Sequence, residues 1–325
     1  MNSSLRRYLL LLICFLCSTV SVHAFDTSLF KDSIDGKFDI SGWLMSHTGF
    51  LPVPLMITEP AVGYGGGLAV AYFHDKRDLN MEEEPKPLDI PPSVSIGFGA
   101  ATENESWLAG GGHLGIWKND RMRYQGFIGL ASLNLEYFVA DIPFSFNIEG
   151  AFLEQELIHR ISDSNFFLGA TYTLISNEVK FDISGIIPGI DSIDFDSRNA
   201  GLSLVTVYDS RDNIVTPNSG QKIELYVTRN DETLGGDFNY WSADLKAVSY
   251  HQVHPKLVLG WKVAAETFED GAPFYSLPYI KLRGIQALRY QGHEVAEVEV
   301  EARWAVTPRF SPVSYTHLTL PTIPR

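Results

Sequence analysis

Charged and apolar residues alternate over residues 295–306, and this pattern constrains the fold more than any other part of the sequence. In an extended chain successive side chains point to opposite faces. A period of two therefore places every charge on one face and leaves only apolar residues on the other. The charged positions are Glu297, Glu299, Glu301 and Arg303. The segment predicts a strand with one wet side and one apolar side.

The same alternation recurs at 221–228 and at 256–266. A half-buried sheet of a soluble β-sandwich produces this pattern, and so does the wall of a barrel in a membrane. Periodicity alone therefore predicts strands without naming the solvent on either side of them.

Residues 1–24 have the features of a secretory signal peptide. Two arginines precede an apolar run, and small residues lead to a cleavage position after Ala24. The run is shorter than the ~20 apolar residues that a spanning helix needs. A lipoprotein signal is the alternative, because Cys14 and Cys17 are present, but neither follows the small residue that such a site requires. We expect an exported chain that begins at residue 25.

Composition excludes several classes of function. Both cysteines lie in the predicted signal peptide, so no thiol or disulfide remains after export. The formal net charge of −14 becomes −16 without Arg6 and Arg7, with 23 basic against 39 acidic residues, which disfavours nucleic acid as a partner. His251 and His254 fall on opposite faces of a strand, and no histidine accompanies a nucleophile motif. We therefore expect no metal, no cofactor and no enzyme activity.

After Ala24 no apolar run reaches the length of a spanning helix, so a place in a membrane requires a closed barrel. Most of the candidate strands match the ~9–11 residues that cross a bilayer at a tilt. They lie at 62–74, 93–103, 106–117, 121–135, 144–159, 165–181, 200–208, 220–229, 239–252, 256–267 and 294–306. Turn residues predict tight reversals at 118–120, 230–231 and 270–271, and a longer loop at 183–199.

Two further segments carry distinctive residues. A charged turn with proline and glycine ends one predicted strand and begins the next. Its residues are Asp209, Arg211, Asp212, Pro217 and Gly220. An Arg-Gly pair, Arg283 and Gly284, lies in the long loop 270–293, and loops of that length are usually functional.

In these motifs the chain resembles the outer-membrane assembly barrels, the BamA- and TamA-like bacterial surface antigens. The family pattern has an Asp-x-Arg-Asp turn followed by Pro and Gly, then an Arg-Gly pair in a loop folded back into the barrel. A strand with a Glu-x-Arg signature follows, here Glu301 and Arg303. Order and spacing match over about 50–310, and 51–73 is similar to the first barrel strand of the short members.

The resemblance implies an all-β, antiparallel transmembrane barrel, which has about 16 strands in the family. It also implies that Arg283 lies in the lumen and pairs with acidic residues of the strands that follow. The alternation independently places Glu299 and Glu301 on the charged face, together with Arg303. The alternative is that Arg283 is a solvated loop cation and that the glutamates only line a channel.

The chain departs from the family pattern at both ends. Residues 25–50, a predicted periplasmic segment, are too few for the periplasmic repeats of the large assembly proteins. Residues 311–325 are rich in proline and are similar to a non-native tail. We therefore expect a barrel domain at 51–310 that is truncated, with about 11–12 of the family's strands.

Three classes of function follow from these expectations. The first is an integral barrel of the bacterial outer membrane that assists the insertion or translocation of proteins or lipids, with loop 270–293 plugging the lumen. Its partners would be outer-membrane lipids, unfolded outer-membrane proteins and periplasmic assembly factors. The second is a passive pore or surface antigen, in which inward charges set ion selectivity. The third is an exported soluble sandwich, whose apolar faces would pack against a second protein layer.

Overall fold

The computed structural model describes residues 48–74, 91–139, 142–182, 192–214, 216–281, 287–307 and 310–321. These residues form 13 β-strands. The strands are β1 (Gly49–Ile57), β2 (Gly65–Phe73), β3 (Val94–Thr102), β4 (Trp107–Trp117), β5 (Met122–Val139), β6 (Ile142–Arg160), β7 (Phe166–Asp182), β8 (Ser192–Asp209), β9 (Gly220–Asn230), β10 (Tyr240–His254), β11 (Leu257–Phe268), β12 (Glu294–Trp304) and β13 (Val313–Pro321). Two single 3-10 turns occur at Glu232–Leu234 and Phe274–Ser276.

Every strand pairs with its neighbours in sequence, so the sheet is a single antiparallel meander from β1 to β13. Within the described residues β1 and β13 are the two edge strands, and the sheet does not close. Connections from an odd-numbered strand to the next even-numbered strand lie at one edge of the sheet. The longest of them joins β11 to β12, and we call this edge the loop end. The opposite edge, where β4 turns into β5 and β8 into β9, is the turn end.

The sheet is curled. This follows from contacts on its inner face between side chains of strands that are not neighbours. The Tyr226 hydroxyl of β9 donates to Glu156 Oε2 of β6 at 3.1 Å. Arg123 Nη1 of β5 likewise donates to Asp209 Oδ2 of β8 at 2.9 Å. The inner face therefore encloses a lumen, and the outer face points away from the protein.

Burial is the reverse of that in a soluble protein. In β9 the outward side chains of Ile223, Leu225 and Val227 are 36–39% exposed, whereas Glu224 and Tyr226 between them are half-buried on the inner face. In β12 Glu297 is only 6% exposed. No helix among the described residues is long and apolar enough to cross a membrane. Because no second protein layer covers the outer face in the described part of the chain, the sandwich interpretation is wrong.

Aromatic and histidine side chains border the apolar outer face at both edges. Trp107 and Trp117 lie ten positions apart on the outer face of β4, and Trp241 and His251 lie ten positions apart on β10. Ten residues span about 34 Å along a strand. At the usual 35–45° tilt this becomes about 24–28 Å, close to the ~25 Å apolar band of outer-membrane barrels.

The predicted barrel class is confirmed, and the structure corrects the strand count, because 13 strands replace the predicted 11–12. β8 begins at Ser192, so 192–199 is strand and not the predicted loop. This part projects beyond the apolar band, and its charged residues Asp194, Asp196 and Arg198 lie on the outer face, where the other strands carry apolar residues. β1 is also additional, since 51–73 is a hairpin and not one strand.

Residues at the predicted tail add the last strand. Val313–Pro321 pairs with β12 over nine residues, although a non-native tail was expected at 311–325. The prolines are tolerated because Pro312 precedes the strand and Pro321 ends it, where no ladder hydrogen bond is lost within the strand. The predicted signal peptide 1–24 and almost all of segment 25–50 lie outside the described residues.

The predicted turns have mixed outcomes. Lys118, Asn119 and Asp120 all adopt positive φ angles of 53–62°, as the tight turn between β4 and β5 requires. The reversal predicted at 230–231 is wrong, because β10 begins only at Tyr240 and a 3-10 turn intervenes. Likewise 270–271 is not a tight turn but the start of the long connection to β12.

Candidate functional site: the lumen loop and the charged turn

Residues 269–293 are the lumen loop, and its described parts, 269–281 and 287–293, fold back against the inner face of the sheet. The Phe274 ring lies 5.5 Å from Phe146 of β6 and 5.3 Å from Phe181 of β7, measured between centroids. The Tyr275 hydroxyl forms a hydrogen bond with Ser197 of β8. The loop leaves β11 and reaches strands on the other side of the lumen, because its aromatic residues pack in an apolar cluster there.

The second attachment of the lumen loop is ionic and lies next to β11 and β12. The backbone N–H of Lys281 donates to Glu297 Oε2 at 3.2 Å, and its Nζ donates to Glu266 Oε1 at 2.7 Å. Lys262 also binds Glu297, at 3.0 Å. Glu297 therefore holds both the loop backbone and a wall lysine, and its side chain is 8% exposed. Buried carboxylates with such partners are costly to disturb.

Hydrogen bonds within the lumen loop keep its described parts together. Tyr279 and Gln291 form an isolated antiparallel bridge. The Gln291 amide nitrogen donates to the carbonyls of Phe274 and Leu277 at 3.1 and 3.2 Å. Ala287 N–H donates to Glu59 in the β1–β2 connection at 3.3 Å, so the loop also contacts the start of the sheet.

A cavity of about 480 Å³ lies inside the sheet and against the lumen loop. Carboxylates dominate its ionisable lining, with one lysine, and the loop contributes a tyrosine and a serine. The ionisable residues are Glu154, Glu156, Asp244, Glu266 and Lys246. Lys246 binds Asp244 at 2.8 Å, which leaves an acidic chamber. No group of three metal-ligating side chains occurs in the described ranges.

The predicted charged turn is organised around Asp209, the last residue of β8. Its two carboxylate oxygens accept from Arg211 Nε and Nη2 at 2.9 and 3.0 Å. Oδ2 also accepts from Arg123 Nη1 of β5 at 2.9 Å. The Asp209 side chain is only 4% exposed, so two arginines compensate one buried carboxylate.

The cluster continues to the turn between β4 and β5. Arg123 binds both oxygens of Asp120 at 2.6 and 2.8 Å, and Arg160 of β6 binds the same carboxylate. The guanidinium carbons of Arg123 and Arg160 each lie 4.3 Å from the Phe167 ring centre. Phe167 is fully buried. Cation–π contacts and paired charges thus join four strands at the turn end.

The rest of the turn folds over the lumen and meets β12. Asp212 Oδ1 accepts from the backbone N–H groups of Asn218 and Ser219 at 2.9 and 3.2 Å. Desolvation raises the pKa of Asp212, but these backbone hydrogen bonds outweigh it and hold that pKa below its ordinary value. Arg303 donates to the Pro217 carbonyl and Asn218 Oδ1 at 2.8 and 2.7 Å.

Gly220 closes the turn because its backbone leaves no room for a side chain. Its φ is +97°, and an added Cβ would lie 2.3 Å from the Ser210 carbonyl oxygen. Glycine at this position of the motif therefore has a steric cause.

The structure brings some predicted site residues together and separates others. Asp209, Arg211, Asp212, Pro217 and Gly220 form one turn. Glu299 and Glu301 lie on the inner face of β12, but Arg303 contacts that turn and not the lumen loop. Arg283 and Gly284 lie outside the described residues, so their pairing stays a prediction.

Sequence reasoning missed the residues that hold the loop and the turn cluster. Glu297 was placed on the correct face, but its role as the loop's acceptor depends on where the loop enters the lumen. Arg123 and Asp209 are 86 positions apart, and no local pattern connects them. A local signal for part of the cluster is Arg123 itself, a cation three positions from Asp120 of the predicted tight turn.

Comparison with known proteins agrees with this architecture. Residues 125–280 match the Omp85 superfamily domain. The fold is similar to the crystal structure of BamA from Haemophilus ducreyi lacking POTRA domains 1–3, with a TM-score of 0.54 and 12% sequence identity. That match covers 84% of this chain and 57% of the BamA chain, so this chain spans little more than half of it. No curated protein sequence matches.

These features define an outer-membrane β-barrel: a meander of long strands, an apolar outer face between aromatic borders, and a polar lumen. The family expected from the motifs is confirmed: residues 125–280 carry an Omp85 superfamily domain, and the fold is similar to that of the BamA barrel. Its place is the bacterial outer membrane.

Proposed function

We propose that this barrel assists the insertion or translocation of proteins, or of lipids, at the outer membrane. The observation that supports the proposal is the lumen loop, which is bound to the β6–β8 wall through Phe274 and Tyr275 and to the β11–β12 wall through Lys281. A loop bound to two walls obstructs the lumen, which favours a barrel that opens over one that is permanently open. Unfolded outer-membrane proteins, periplasmic assembly factors and outer-membrane lipids are the proposed partners.

Several parts of the proposal concern residues outside the described ranges. We infer that a signal peptide is removed after Ala24 and that 25–50 lies in the periplasm. We also infer that Arg283 extends the ionic attachment begun by Lys281 and pairs with Glu299 or Glu301. Intact mass of the exported protein tests the cleavage, since the mature chain would begin at Phe25. Arg283→Ala tests the pairing, because it should lower the temperature at which the barrel unfolds in detergent.

The assembly role is tested with the purified protein in lipid vesicles and a urea-unfolded eight-stranded outer-membrane protein as substrate. Folding of the substrate is followed by its heat-modifiable mobility in electrophoresis. We expect faster folding than in empty vesicles, and slower folding when the loop is fixed by a disulfide between Tyr275→Cys and Ser197→Cys. Equal rates in empty vesicles and in vesicles with the barrel would contradict the role.

The acidic chamber supports the second candidate, a passive pore. Such a pore would conduct steadily in a planar bilayer and prefer cations, because Glu154, Glu156, Asp244 and Glu266 line the cavity. A current that is mostly closed, with brief openings, favours the plugged barrel. Neither candidate requires catalysis or a cofactor, and we propose none.

A further inference from the structure

A polar cluster faces outward on the apolar side of the sheet, where outer-membrane barrels normally carry apolar residues. Ser95 of β3 is its centre. The Ser95 hydroxyl lies 2.9 Å from Nε2 of His74 and 2.9 Å from Nδ1 of His113. Ser95 and His113 are direct partners in the ladder of β3 and β4, so both project on the same outer side.

The cluster has a hydrogen-bond donor to spare. A serine hydroxyl has one proton, and each neutral imidazole has one N–H. Two contacts to Ser95 use two of these three protons, so one donor remains for an acceptor outside the cluster. In hydrocarbon an unsatisfied donor costs several kcal/mol, which requires an acceptor or water at this depth.

Aromatic rings fix the cluster at the border of the membrane. Tyr72 lies 4.9 Å from His74, and Trp117 and Tyr124 each lie 6.0 Å from His113, between ring centroids. Trp117 belongs to the aromatic border at the turn end, where lipid headgroups lie. The preformed donors thus lie next to this border, with His113 four positions inside Trp117 along β4, and are within reach of headgroup phosphates.

On the bilayer side of the cluster the outer surface carries no side chain larger than a methyl group. Gly97 pairs with Gly111 and Gly99 with Ala109, two and four positions from Ser95 and His113. A Cβ at Gly97 would meet nothing within 4 Å. This trough is two strands wide, about 10 Å.

The walls of the trough are apolar and exposed. Leu68 and Val70 of β2 pair with Gly99 and Gly97, and Ile128 and Leu130 of β5 pair with Gly111 and Ala109. Ile128 and Leu130 are 62% and 54% exposed. A donor cluster beside the aromatic border therefore continues directly into a trough shaped for hydrocarbon chains.

We propose that this surface binds one glycerophospholipid, with its phosphate on His74 and His113 and its acyl chains in the trough over Gly97. Phosphate supplies the acceptor that the cluster lacks, and charge-assisted hydrogen bonds to it are the strong kind. A hydrolytic role for Ser95 is disfavoured, because the neighbouring backbone N–H groups belong to the sheet ladder and leave no oxyanion donors. This site is distinct from the lumen and independent of the proposed assembly role.

The test measures lipid retention by native mass spectrometry of the detergent-purified protein, with dioleoylphosphatidylglycerol and, as a phosphate-free probe, dioleoylglycerol. We expect one tightly held phospholipid per chain and at least tenfold weaker retention of dioleoylglycerol. The double variant His74→Gln/His113→Gln should weaken phospholipid binding at least tenfold, about the effect of one lost charge-assisted hydrogen bond. His159→Gln is the matched control, since His159 also faces outward at the turn end but lacks the serine centre.

A second variant keeps the test decisive if the double variant fails to fold. Gly97→Leu adds a side chain into open space, so the barrel should fold as well as wild type while losing retention of both lipids. Heat-modifiable mobility confirms folding of each variant. Unchanged phospholipid retention in either variant overturns the proposal. Equal binding of the two lipids also overturns it. A dimer of this chain that forms without lipid and is lost in Gly97→Leu overturns it as well.

Discussion

The two ends of the lumen are held by different forces. At the turn end Asp120, Arg123, Asp209 and Arg211 form a continuous, nearly buried ionic cluster around Phe167. At the loop end a few aromatic contacts and the pairs of Lys281 and Glu297 hold a long connection in place. The first arrangement joins strands that never need to separate. The second attaches a segment that can be released without unpairing the sheet.

The cavity between the two regions sharpens the contrast. About 480 Å³ of space lies on the inner side of the loop, so the loop is not packed as tightly as Phe167, which is fully buried. A poorly packed element opens at lower cost than the global unfolding of the sheet. We therefore expect substitutions at the turn end to change the stability of the barrel, and substitutions at the loop end to change the opening of the lumen.

The largest effect is expected for Asp209→Asn. The variant removes a charge that compensates Arg123 and Arg211, and breaking a buried pair typically costs about 3–5 kcal/mol. The midpoint of urea unfolding in lipid vesicles measures this cost. Asp163→Asn is the control, because Asp163 and its partner Arg121 are 88% and 50% exposed and should contribute less than about 1 kcal/mol. Equal shifts for the two variants would contradict the assigned role of the cluster.

A smaller effect on stability, but a larger one on conductance, is expected for Glu297→Ala. The variant removes the acceptor of the Lys281 N–H and the partner of Lys262, which weakens docking of the lumen loop by about 1–3 kcal/mol. The ratio of open to closed time in planar bilayers should then rise roughly five- to 150-fold.

Glu224→Gln is the control for this experiment, since Glu224 is also a carboxylate on the inner face but binds Lys222 of its own strand, β9, at 2.7 Å. If Glu297→Ala lowers the urea midpoint as far as Asp209→Asn but leaves the conductance unchanged, the two ends of the lumen do not differ as described.

Arg303→Met should have a local effect of about 1 kcal/mol, because it removes the donor to Pro217 and Asn218 but keeps the apolar stem. Limited proteolysis within 210–219 should become several-fold faster, with little change in global unfolding. Lys256→Met, in the neighbouring turn between β10 and β11, serves as the control. Unchanged cleavage in Arg303→Met would mean that the turn is held by its own hydrogen bonds alone.

The smallest effect concerns acid. The pKa of Asp212 is lowered, so its bonds to Asn218 and Ser219 are present above the ordinary carboxyl range and are lost as the pH falls through the lower, folded-state pKa. The amide chemical shifts of Asn218 and Ser219 should report a midpoint below that of a free aspartate. Asp212→Asn should abolish the transition. A midpoint at or above the ordinary aspartate value would remove the carboxylate from this role.

The strands were predictable where one face meets lipid and the other meets water. β9, β11 and β12 show this, because the two environments impose a period of two. The prediction failed where charged side chains take the outer face, as in the first part of β8, and where a proline-flanked segment such as β13 depends on an existing strand edge. Local sequence does not encode the edge against which a strand is added.

The candidate site was predictable as a motif and not as a set of contacts. The turn residues Asp209 to Gly220 are close in sequence, so their chemistry could be seen together. The sequence presents Glu297, Glu299 and Glu301 as equivalent carboxylates. Only the path of the lumen loop identifies Glu297 as its acceptor, and that path depends on the contact of Phe274 with Phe146, which is far away in the chain. Long-range packing of this kind leaves no periodic signal.

The unequal height of the sheet has a consequence for access. β5 to β8 have 17–19 residues, whereas β1 to β4 have 9–11, and the excess lies at the loop end. The taller strands form a screen that rises about 20 Å above the shorter ones. Along the described part of the wall, the tall strands obstruct a molecule that approaches the lumen loop over β5 to β8. A molecule that approaches over β1 to β4 meets no such screen.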